Sequence, residues 1–166
     1  NAATIWKNGV ATTLSSGALL GSIARAVFVS GTDVYAAGYV TQTINFNVVY
    51  VATSWKNGIA TSLTNGPAVA DANSIFVSGN DVYVVGKEGN SAKLWKNGVA
   101  STLSSASNAV ANSVVVSGTD VYIAGTEDDG TSPNSYAKLW KNGNGSFLTT
   151  SGYHNRAWSV YVVGAD

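Results

Sequence analysis

Short runs of Val, Ile, Tyr, Trp and Ala alternate along the whole chain with Gly-, Asn-, Asp- and Ser-rich punctuation. That pattern predicts strands joined by tight turns. β-Branched and aromatic side chains fit a pleated surface, and the punctuating residues supply the backbone angles that turns need. No stretch places apolar residues at helical spacing between capping residues, so the predicted class is all-β. Each unit reads as four strands, for example Ile75–Val77, Val82–Val85, Ala92–Trp95 and Val99–Leu103. Val27–Val29 and Val114–Val116 repeat the first of these. The unbroken run Val114-Val115-Val116 predicts a strand covered on both faces, because a half-exposed strand would alternate.

The strands recur as a repeat. Trp-Lys-Asn-Gly stands at 6–9, 55–58, 95–98 and 140–143, and Ser-Gly-x-Asp-Val-Tyr at 30–35, 78–83 and 117–122. A degenerate copy of the second block, Val163-Gly164-Ala165-Asp166, ends the sequence. Asn-Gly predicts a type I′ hairpin, and Ser-Gly-x-Asp a slightly longer one whose Asp binds its own backbone. From each Trp to the next recurrent Leu (Leu14, Leu63, Leu103, Leu148) is eight residues, so this part is fixed. The stretch from the closing Gly to the next Trp varies: 17 residues from Gly38, 9 from Gly86 and 15 from Gly125. Four-stranded units of this size, too small to bury both faces alone, predict a β-propeller-type array of antiparallel blades. The units run approximately 1–33, 34–81, 82–120 and 121–166 within a single repeat domain, as three full blades plus a partial blade made by the termini. That partial blade lacks a second strand. The chain therefore reads as a segment of a larger propeller, or as one that pairs its open edges with a partner chain.

The repeat resembles the Trp-Lys-Asn-Gly (WKNG) propeller repeats of bacterial, apparently secreted proteins, which carry a similar tryptophan block followed by a run like Ser74–Gly86. The resemblance covers nearly the whole chain. It implies a propeller fold and an extracellular or cell-surface location, and it brings no activity with it.

Composition narrows the partners. Nine Lys and Arg balance nine Asp and Glu, and charged residues make up only 11% of the chain. No basic face for nucleic acid is expected, and no apolar run reaches the ~18 residues of a membrane span. The absence of Cys excludes disulfides and thiolate metal sites. The start, Asn1-Ala2-Ala3-Thr4, is neither a secretion signal nor an initiator, so the chain reads as processed or as part of something longer.

In a four-stranded meander the two kinds of tight turn fall on one rim, and the middle and inter-blade connections fall on the other. Loops that vary on a rigid scaffold carry binding residues, so the variable rim is the expected working face. There the segment Tyr153-His154-Asn155-Arg156-Ala157-Trp158 gathers the single His, one of the two Arg residues and the one Trp outside the repeat motif. The residues entering the first strands are Arg25, Asn73, Asn112 and Trp158, diverse amid constant neighbours, and are expected to ring the mouth of a central channel. The candidate ligand-binding set is therefore Tyr153, His154, Asn155, Arg156, Trp158, Arg25, Asn73 and Asn112, facing a glycan or protein ligand.

Other chemistries fit less well. Trp6, Trp55, Trp95 and Trp140 would serve as sugar platforms, but a large aromatic recurring at one strand position is more simply core between blades. Asp33, Asp81 and Asp120 occupy identical turn positions, whereas acid–base catalysis needs unlike carboxyl environments at close range. Glu127-Asp128-Asp129-Gly130 lacks the alternating spacing of a calcium loop. His154 has no nucleophile beside it. Asn142-Gly143-Asn144-Gly145 precedes a strand, where a phosphate loop would open a helix. No catalytic residue, metal or cofactor is predicted. The expected function is a non-catalytic extracellular binding or interaction module. The alternatives are a carbohydrate-binding lectin, or part of a glycan-active enzyme whose catalytic residues lie outside this segment.

Overall fold

The computed structural model describes residues 2–14, 20–128, 134–150 and 154–163. Among them the chain is all-β and contains no helix. A hairpin of β1 (Thr4–Lys7) and β2 (Val10–Thr13) precedes three four-stranded antiparallel sheets. The first comprises β3 (Ser22–Ser30), β4 (Asp33–Ile44), β5 (Asn47–Lys56) and β6 (Ile59–Ser62). The second comprises β7 (Ala70–Ser78), β8 (Asp81–Glu88), β9 (Ser91–Lys96) and β10 (Val99–Ser104). The third comprises β11 (Val110–Ser117), β12 (Asp120–Asp128), β13 (Ser135–Lys141) and β14 (Asn144–Phe147). Each is a meander with strands in chain order, and successive sheets pack on one another with the edge strands β3, β7 and β11 in contact.

Three local expectations are corrected. The extra length after Gly38 is a longer hairpin: β4 and β5 stay in register out to Ile44 and Asn47, turning at Asn45-Phe46 with φ of 50° and 64°. The Ser-Gly-x-Asp turns are two-residue loops, since Ser30 faces Asp33 directly, as Ser78 faces Asp81 and Ser117 faces Asp120. Gly31, Gly79 and Gly118 open these loops at φ of 58–60°, as a II′-type turn requires. Finally, the first strand expected after Trp158 makes no ladder among the described residues. β3, β7 and β11 are each held by a second strand, and none pairs with this segment, where Val160 N donates instead to Ser113 Oγ at 3.3 Å.

The recurrent tryptophans close the joints between sheets. Trp95 packs with Tyr35, Ala37 and Ala52 of the preceding sheet, and Trp140 with Tyr83, Val85 and Ala92. Trp55 does the same against Ala3 and Leu14 of the first hairpin. All three rings are buried, so they are core, whereas Trp6, with no sheet before it among the described residues, is 68% exposed. Val27 and Val29 on the same side of the array are 58% and 61% exposed, while their counterparts Ile75 and Val77 are 4% and 7%. At the other end Leu148 is exposed where Leu14 is buried. Burial follows the neighbour, not the residue.

On the tight-turn rim each sheet carries the same clasp. Asn57, Asn97 and Asn142 hold φ near 52° in Asn-Gly turns whose Gly φ is also positive. The Asn57 side chain accepts from Val34 N at 2.9 Å and donates to Asp33 Oδ1 at 2.8 Å. Asn97 and Asn142 repeat this with Val82 and Asp81, and with Val121 and Asp120. Lys56, Lys96 and Lys141 pair with the same carboxylates at 2.7–2.8 Å and lie over Tyr35, Tyr83 and Tyr122. The aspartates thus bind the neighbouring hairpin and not their own turn as expected.

The lysine hydrogen bond first, then the asparagine amide, holds Asp33, Asp81 and Asp120 below the ordinary aspartate pKa. A carboxyl whose folded pKa is depressed contributes stability above its unfolded value, about 3.9, and loses it as pH falls through the folded value. Thermal melts from pH 6 to pH 2 should show stability falling mainly below about pH 4. The triple variant Asp33→Asn, Asp81→Asn, Asp120→Asn should flatten that fall, and an unchanged acid profile would reject the clasp as its source.

Candidate functional site

The candidate site grows from one irregularity repeated in each sheet. Where β3 meets β4 the register slips between Ala24 and Ala26, and the same slip occurs at Ala72/Ser74 and Ala111/Ser113. A β-bulge leaves its extra residue unpaired and re-aims it, and the extra residues are Arg25, Asn73 and Asn112. Glycine opposite the bulge is obligatory. A Cβ on Gly38, Gly86 or Gly125 would lie within about 2 Å of the carbonyl oxygen of Ile23, Asp71 or Val110.

Each bulged side chain reaches forward, Arg25 and Asn73 to the next sheet and Asn112 to the C-terminal segment. Asn73 Nδ2 donates to Ala111 O at 3.0 Å, and Asn112 Nδ2 to Ala157 O at 2.9 Å. Arg25 Nε lies 2.8 Å from both carboxylate oxygens of Asp71, with Nη2 at 2.6 Å. That hydrogen bond holds the guanidinium pKa above its ordinary value. Arg25 and Asn73 therefore join sheets, Asn112 ties the third sheet to the C-terminal segment, and all three face a shared space.

The space is an open depression of about 560 Å³ on the rim away from the clasps. Arg25, Asn73, Asn112, His154, Arg156 and Trp158 all line it. Six of the eight candidate residues thus meet at one place, although they come from three sheets and the C-terminal segment. The Arg156 guanidinium lies 5.6 Å from the centre of the Trp158 ring. Asn155 is absent from the lining and donates its backbone N–H to Ser135 O at 2.9 Å. Tyr153 lies outside the described residues.

The remaining lining includes Lys87, Asn108, Thr126, Asp128 and Ser135, of which only Asp128 was considered from the sequence, as part of the acidic run. A signal was present. Lys87 and Thr126 directly follow the closing glycines Gly86 and Gly125, and the first copy has Tyr39 there. Variation at one position amid constant neighbours is what marked Arg25, Asn73 and Asn112. Of the acidic run weighed for calcium, Glu127 pairs with Lys138 at 2.6 Å and Asp128 accepts from Asn108 Nδ2 at 2.6 Å, while Asp129 and Gly130 lie outside the described residues. The chain matches no protein-family model, and no significant relative emerges among curated proteins.

Proposed function

We propose that this chain is a non-catalytic extracellular binding module of the WKNG propeller type, holding its ligand on the rim opposite the clasps. The observation that carries the reading is convergence: residues chosen for chemical variety, far apart in sequence, line one depression. Its volume falls within the ~300–1,000 Å³ of small-molecule sites. The extracellular and propeller elements draw on the WKNG resemblance. The bare surface at Val27, Val29 and Trp6 supports further blades or a partner chain at that end, since the equivalent surface elsewhere is covered by a sheet of the same repeat. An enzymatic role draws little from this rim. Glycoside cleavage usually takes two carboxyl groups, and Asp128 is the single carboxylate among the described lining residues.

The test is a binding screen of the intact chain against a glycan array and a random-peptide display. Trp158→Ala should weaken any captured ligand by about 2 kcal/mol or more. Lys56→Ala and Lys96→Ala, on the opposite rim, should change binding by less than about 0.5 kcal/mol. Equal losses from both rims would overturn the assignment of the face.

A further inference from the structure

The first hairpin has the sequence of a unit's third and fourth strands, with Trp6-Lys7-Asn8-Gly9 at its turn. Among the described residues β1 pairs only with β2. Its counterparts β5, β9 and β13 each take a second strand, β4, β8 or β12, on the other edge. Beside that edge of β1 lies a groove of about 280 Å³. Ile5 and Trp6 form one wall, and Ala24, Ala26, Val27 and Ala36 of the first sheet form the other.

The chain itself shows what fits there, because the equivalent places are filled. At the next joint Tyr35 and Ala37 of β4 pack with Ile75 and Val77, and at the following one Tyr83 and Val85 of β8 pack with Val114 and Val116. Val27 and Val29 hold the same positions on β3 and are exposed. The turn of the first hairpin is already shaped for the same partner. In each filled copy the motif's Asn donates its backbone N–H to the Val carbonyl of the second strand at 2.8–2.9 Å. Its side chain and the neighbouring Lys hold the Asp just before that Val. Asn8 and Gly9 have φ of 51° and 80°, against 51–53° and 81–84° in the other copies. Lys7 and Asn8 thus offer a cation and directed donors suited to an Asp-Val-Tyr segment. An apolar helix would cover the valines but could not pair with the edge of β1, whereas an extended strand does both. We propose that this groove takes a β-strand of the form Asp-Val-Tyr-x-x-Gly, donated by a partner chain. The described strands of that form, β4, β8 and β12, are each already held between two neighbours. This names the partner at the open end and does not depend on the depression.

The intact chain is titrated with a capped peptide of residues Gly79–Gly89, which carries the β8 sequence. A scrambled peptide and the β7 sequence Asn73–Ser78 are the comparisons, and heat and amide hydrogen exchange are the readouts. The β8 peptide should bind saturably and slow exchange at the Asn8 amide tenfold or more, and neither comparison should. Asp81→Asn or Tyr83→Ala in the peptide should each weaken binding tenfold or more. Val27→Asp in the chain should do the same and leave the melting temperature of the free chain unchanged, since Val27 is exposed. Trp158→Ala should not alter peptide binding, which separates this surface from the rim. Equal binding of the scrambled peptide, indifference to Val27→Asp, or no binding of the β8 peptide overturns the proposal. A chain that dimerises through the groove and refuses the peptide also overturns it, and leaves the open end as a contact between copies.

Discussion

Trp95→Ala should destabilise the protein by roughly 3–5 kcal/mol, the cost of emptying a fully buried aromatic site. The same substitution at Trp6 should cost less than about 0.5 kcal/mol. Both tryptophans open the same four-residue motif, so sequence alone gives no reason for them to differ. The difference comes from the neighbour: Trp95 closes a joint with Tyr35, Ala37 and Ala52, and Trp6 is largely exposed. Urea unfolding of the two variants checks this. Equal, small losses would mean that the Trp95 ring is not seated between sheets. The Trp95 indole N–H has no partner, which offsets part of what its burial contributes.

The second large effect concerns the ion pair of Glu127 and Lys138. Nζ lies 2.6 Å from Oε2, and both side chains are largely buried, with Lys138 Nζ also 4.6 Å from the centre of the Phe147 ring. Lys138→Met should cost about 3–5 kcal/mol, because it strands a carboxylate out of water. The double variant Lys138→Met, Glu127→Leu should recover most of that loss, since an apolar pair forgoes attraction and desolvation together. The protein already contains the comparison. In the first sheet the equivalent positions are Val40 and Thr53, both buried, and in the second they are Glu88 and Lys93, 3.4 Å apart and more exposed. A double variant no more stable than Lys138→Met alone would show that the pair is worth more than its apolar replacement.

Much of the fold can be read from the chain because its determinants are local. Asn-Gly demands a particular turn, eight residues separate each Trp from its Leu, and the strand order follows from tight turns. What could not be read depends on neighbours distant in sequence. The aspartates of Ser-Gly-x-Asp serve the next hairpin, 22–24 residues from Asp120 and Asp33, and no nearby residue announces that. The lengthened β4–β5 hairpin looked like a variable loop because its tip is Asn45-Phe46, without the glycine that marks the other turns. For the site, variability located the bulged residues and the segment after Tyr153. Lys87 and Thr126 vary in the same way on the strand alongside, and only the pairing of the two strands brings them to the bulged residues.

The joints also have a direction. The bulged residues Arg25 and Asn73 reach forward to the following sheet and Asn112 to the C-terminal segment, while each buried tryptophan packs backward on the preceding sheet. A unit therefore carries a socket on one side and a plug on the other, both encoded within about forty residues. A duplicated unit arriving by unequal recombination brings both halves with it, and it slots in without a compensating change where the forward contact is an asparagine on a backbone carbonyl, as at Asn73, but not where it is the Arg25–Asp71 pair. Such an array can lengthen or shorten in evolution by whole units, while the lining of its rim drifts copy by copy.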